Sequence, residues 1–143
     1  MTGLGDLNLS LILSAVGSVF GTGVAGMAAV GSWKKAFSQN KAAPFIMIAF
    51  VGAPLTQTIY GMILRNSILA AKWEPNTTHF QVMIGAFAGI VIGLSAYLQG
   101  KAGAKAADAL GETGKGFTNY IMVLGVIETV ALFVMIFARG VLP

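Results

Sequence analysis

Four long apolar runs, parted by short polar stretches, set the pattern of this chain. They span residues 9–33, 44–70, 80–105 and 117–139, and each exceeds the roughly 20 residues a helix needs to cross a bilayer. The third run is predominantly apolar from about Phe80 to Leu98, and it reaches 105 if its helix continues through Gly100–Ala107. None of the runs alternates polar and apolar residues, and a strand edge facing lipid could not satisfy its backbone groups, so helices are predicted throughout. The short polar connections pair the helices into two tandem hairpins, residues 1–71 and 72–143, with Lys72–Thr78 and its Pro75-Asn76 as the linker. The expected fold is an all-α membrane protein of four transmembrane helices.

Composition supports the same solvent. Of 143 residues, 56% are hydrophobic and 10% charged, against about 25% charged in an ordinary soluble domain, so the chain cannot cover a water-exposed surface. Mean hydropathy is +0.80 and the pI is near 9.6. The basic excess reads as membrane topology and not as nucleic-acid binding, because the Lys and Arg residues form no dense patch with aromatics. With no cysteine, disulfides and thiolate metal sites are excluded. The start carries Asp6 as its only early charge and so lacks the basic segment of a cleavable signal peptide.

Charge placement gives an orientation. Lys34, Lys35 and Lys41 follow the first run, and Lys101, Lys105 and Lys115 follow the third, whereas the opposite side holds Arg65, Lys72 and Arg139. Six basic residues against three place the loops 34–43 and 101–116 in the cytoplasm and both termini outside a cell membrane crossed four times. Trp33 and Trp73 fall at span ends on opposite sides, as interfacial aromatics do.

A shift of 73 positions lays Ile48 on Ile121, Gly52 on Gly125, Thr56 on Thr129, and Met62-Ile63 on Met135-Ile136, so the hairpins read as a parallel internal duplication. The first and third spans share closely spaced glycines instead: Gly17, Gly21, Gly23, Gly26 and Gly31 against Gly85, Gly89, Gly93 and Gly100. Small residues every three or four positions let helix backbones approach closely in lipid. That smooth face suits packing within one four-helix bundle and equally the crowded inner wall of a ring of copies.

Polar residues inside the spans carry the chemistry. Glu128 lies near the middle of the fourth span, where a carboxylate costs about 2.5–3.5 kcal/mol on insertion scales and needs a partner or a proton. No Arg or Lys stands at that depth, so a visiting cation, a proton or a partner subunit must neutralise it. The second span offers Thr56, Gln57 and Tyr60, spaced to share one face, just after Pro54, whose missing N–H leaves the Phe50 carbonyl without its helical partner and bends the backbone. The third span adds Gln99. Taken singly, Thr56 reads as back-bonded to its own helix and either glutamine as interhelical glue. Together they supply neutral oxygens beside one carboxylate, the donor set that a hard cation such as sodium prefers.

These residues resemble a known family, the proteolipid (K or c) rotor-ring subunit of V-type ATPases, and within it the sodium-transporting bacterial members. The likeness rests on Ala53-Pro54-Leu55-Thr56-Gln57 with Tyr60-Gly61, on Gln99-Gly100-Lys101, and on Val126-Ile127-Glu128-Thr129. It implies that Glu128 carries the ion, that Thr56, Gln57, Gln99 and the carbonyl of Ala53 complete an Na+ shell, and that Tyr60 closes the site by hydrogen bonding Glu128. It further implies a homo-oligomeric ring in the lipid bilayer, a stator subunit with an essential arginine, and a central stalk resting on the cytoplasmic loops. In the repeat Leu55 lies opposite Glu128, so the first hairpin keeps no carboxylate and each chain carries one site. No GxxxxGK[ST] loop occurs, so the chain is a non-catalytic subunit and the ATP chemistry lies elsewhere.

Three other readings compete. A proton-carrying version of the same rotor needs only the carboxylate and one or two hydrogen bonds, which leaves Gln57 and Gln99 surplus. A small secondary transporter usually shows broken helices or several charges along a path, and here Glu128 alone is charged at depth. A structural four-span protein would keep its properties in Glu128→Gln.

Overall fold

A computed structural model of the chain describes residues 4–143. Its four spans are helical, each long and apolar enough to cross a membrane. Helix α1 runs Leu9–Ser38. The second span begins with a 3₁₀ turn, Phe45–Met47, continues as α2 (Ile48–Gly52), tightens again at Ala53–Leu55, and resumes as α3 (Thr56–Ala70). Helix α4 runs Thr78–Thr113 and α5 Phe117–Gly140. The protein is thus a multi-pass membrane protein of the expected all-α class.

Two boundaries differ from expectation. The first helix continues past Trp33 to Ser38, and the third past 105 to Thr113, so most of the stretch expected as a loop, 101–116, is helix. Sequence hydropathy falls there because of Lys101, Lys105, Asp108 and Glu112, but Ala102, Ala104, Ala106, Ala107 and Ala109 are strong helix formers. Ala106, Ala107 and Leu110 also pack with Ala29, Met47 and Phe50, so the tail of α4 has a core of its own. The chain then turns at Gly114–Gly116, where both glycines take left-handed backbone angles (φ +66° and +92°) that side chains disfavour.

Packing is closest between α1 and α4, across the two hairpins. A methyl group on Gly17 would overlap the backbone of Gly93, one on Gly93 would overlap the carbonyl of Leu13, and one on Gly100 would overlap the backbone of Gly21. Glycine at these positions is therefore what permits the helices to touch. Other glycines of the same spans point elsewhere: a side chain on Gly23 or Gly31 would meet nothing of this chain within 4 Å. Helix α3 leans on α1 through Gly61, which lies against the Ser10 carbonyl and the Ser14 hydroxyl. At the head of α1 the buried Asp6 carboxylate accepts from the N–H groups of Asn8 and Ser10 and from the Ser10 hydroxyl, capping the helix.

Apolar cores lie toward the two ends, one holding Phe50 and Leu124, the other Leu64 and Ala131. The second and fourth spans pass from one core to the other within residues 50–64 and 124–131. The polar residues of the spans fall in that interval.

Candidate ion-binding site

The site begins with the break at Pro54. The turn Ala53–Leu55 directs the Ala53 carbonyl to two donors, the Thr56 backbone N–H and the Thr56 hydroxyl at 3.0 Å. The first turn of α3 therefore opens with a cluster of oxygens, since Thr56 Oγ1 also lies 3.1 Å from Gln57 Oε1. Close approach of α4 to the break depends on Gly103, where a side-chain carbon would sit 2.9 Å from the Phe50 carbonyl.

From that cluster a chain of hydrogen bonds crosses the bundle. Gln57, fully buried, donates through Nε2 to Oε1 of Gln99 at 2.8 Å. Gln99, also fully buried, donates to the Leu124 carbonyl at 2.9 Å and to Glu128 Oε2 at 3.3 Å. Tyr60 donates its hydroxyl to Glu128 Oε1 at 2.7 Å. Tyr60 and Glu128 are half-buried, so the carboxylate lies at the edge of the single chain with both oxygens engaged. All six groups singled out in the sequence, Glu128, Gln99, Gln57, Thr56, the Ala53 carbonyl and Tyr60, thus meet in one connected network drawn from three spans.

No cationic side chain of the described residues joins it. Among the described residues the one ion pair is Lys35–Glu112 at 3.4 Å, between exposed side chains near the ends of α1 and α4. Nor do the described residues hold any group of three or more His, Cys, Asp or Glu side chains, the arrangement a transition metal would need. The groups assembled carry the oxygens of one carboxylate, two amides, a hydroxyl and a backbone carbonyl, the donor type that a hard cation takes.

Two contacts were not foreseen. Ser95, one turn before Gln99 on α4, donates to the Ile127 carbonyl at 2.9 Å, and Thr58 donates to Ser18 at 2.9 Å, tying α3 to α1 at the depth of the site. The i, i+4 spacing of Ser95 and Gln99 was visible in the sequence, but a lone serine among small residues carries no signal by itself.

Fold and site together define a class, helical multi-pass membrane proteins with a single carboxylate held at lipid depth by uncharged oxygen and amide groups. Residues 82–139 match the family model of the ATP synthase C-subunit. That match takes in nearly all of α4 and α5, with Gln99 and Glu128, and leaves the first hairpin outside it. No match is found among curated proteins.

Proposed function

We propose that this chain is the rotor-ring subunit of a V-type rotary ATPase and that each copy carries one sodium ion on Glu128 across the membrane. The observation that carries the reading is the chain of hydrogen bonds that links the Ala53 carbonyl, Thr56 and Gln57 through Gln99 to that carboxylate. A proton carrier would need far less. Gln57 and Gln99 are both completely buried in lipid-embedded helices, where amides without a task are costly, and both feed the path to Glu128.

The electrostatics set the cycle. With Na+ bound, Glu128 is neutralised and can sweep past acyl chains at tolerable cost. With the ion released, the bare carboxylate has to meet water or a fixed positive charge, the part taken by a stator arginine. Tyr60 holds Glu128 Oε1 and keeps the carboxylate turned toward the other oxygens while it faces lipid. The apolar outer surface of α5, with Val123, Val126, Val130 and Phe137 each more than half exposed, suits lipid or a neighbouring copy. Gly23 and Gly31 leave a further smooth face on α1, suited to the inner wall of a ring. The cytoplasmic ends of α1 and α4 would bear on the central stalk.

Carbodiimide labelling of the purified ring tests the sodium assignment. Glu128 is expected to react at fixed pH in the absence of sodium and to be protected by millimolar Na+ but not by K+. Labelling that responds to pH and ignores sodium at every concentration would transfer the same site to the proton carrier.

A further inference from the structure

We infer that Ser95 is a positioning residue for the ion site, acting through the backbone of α5. Its hydroxyl is nearly buried and donates to the carbonyl of Ile127, the residue just before Glu128, at 2.9 Å. One turn further along α4, Gln99 donates to the carbonyl of Leu124 at 2.9 Å. Ile127 and Leu124 are three apart, so Ser95 and Gln99 grip the same face of α5 at two successive turns. Gln99 is also a site group, in contact with Glu128 at 3.3 Å. Ser95 makes its side-chain hydrogen bond to a backbone carbonyl and, among the described residues, none to a side chain of the site. Its hydrogen bond is therefore free to serve geometry alone.

The two-point grip fixes what a single bond cannot. One hydrogen bond between two helices leaves α5 able to roll about its own axis, and a roll displaces a side chain at the helix surface far more than the axis itself. Tyr60 is too weak a restraint against that roll, because it holds only the flexible end of the Glu128 side chain. Ser95 and Gln99 act on main-chain atoms, so they set the direction in which the Glu128 Cα–Cβ bond leaves the helix.

This inference rests on the ion-carrier reading of Glu128, and its test separates the two. Wild type, Ser95→Ala and Ser95→Thr are purified as assembled protein, and carbodiimide labelling of Glu128 is followed against sodium concentration and against pH. Ser95→Ala removes one oxygen and adds no bulk, so its assembled mass is expected to match wild type. Its half-protecting sodium concentration is expected to rise about three- to tenfold, and Ser95→Thr, which keeps the hydroxyl, to recover most of that loss. Superimposable sodium curves for wild type and Ser95→Ala would overturn the inference, as would equal loss in both variants. Should sodium leave wild-type labelling unchanged, the sodium assignment fails on its own. The pH of half-labelling then becomes the readout, on which Ser95→Ala must still depart from wild type and Ser95→Thr must not.

Discussion

Tyr60 makes the shorter of the two side-chain hydrogen bonds to Glu128, 2.7 Å against 3.3 Å from Gln99. Hydrogen bonds between helices in lipid contribute about 0.6 kcal/mol on average and up to about 1.7, because the competing states also find partners. Tyr60→Phe is therefore expected to raise the half-protecting sodium concentration roughly three- to twentyfold without altering helix content, read by labelling and circular dichroism. Glu128→Gln is the stricter change. It keeps the shape and loses the charge, so carbodiimide labelling at this position and ion transport by the assembled enzyme should both vanish. Unimpaired transport in Glu128→Gln would leave only a structural role for the residue. At this scale the sequence was informative because lipid makes polar residues conspicuous: Glu128 and four polar side chains, Thr56, Gln57, Tyr60 and Gln99, stood out in otherwise apolar runs. Ser95 did not, since serine at a glycine-like position is ordinary in such helices and only the geometry shows where its hydroxyl goes.

At the level of the helices, Pro54 trades stability for chemistry. The 3₁₀ turn at Ala53–Leu55 gives the Ala53 carbonyl to Thr56 and leaves the Phe50 carbonyl without its helical donor. Pro54→Ala restores an N–H, and the span should relax toward continuous α-helix. The expected result is higher thermal stability, by about 1 kcal/mol for the regained hydrogen bond, together with weaker sodium protection of Glu128. Gains in both would show that the break has no role in the site. The α1–α4 contact gives a contrasting case. A leucine at Gly93 has no room against the Leu13 carbonyl, which as backbone cannot move aside, so Gly93→Leu should cost roughly 1–3 kcal/mol or more and lower the melting temperature measurably. The helices themselves were legible from hydropathy, and the bend from proline. Their ends were not. Hydropathy reports where lipid stops, whereas α4 stops only at Gly114, held by alanine propensity and by packing against Phe50 and Met47. The glycine spacing likewise foretold a close helix contact without naming the partner, and the partner within the chain is the span of the other hairpin.

For the whole molecule, one chain leaves much apolar surface uncovered, and the proposed ring accounts for it. The prediction is a detergent-stable assembly many times the 14.8 kDa of one copy, resolved by light scattering or native mass measurement. A strict monomer in mild detergent would count against the rotor. Substitutions at Gly23 give a finer version of that experiment. A leucine there meets nothing of its own chain, so any loss of assembly in Gly23→Leu reports packing against a neighbour or the crowding of an inner wall.

The length of α4 has a mechanical consequence for such a machine. At 36 residues it measures about 54 Å, against about 30 Å of hydrocarbon, so a substantial part of one unbroken rod stands clear of the lipid. Gln99 sits on the same rod as the protruding Lys105–Thr113 segment, with no loop or hinge between them. In a circle of copies these tails would form a stiff collar. A shaft gripping that collar would deliver its torque to the ion-bearing layer with little lost to elastic wind-up.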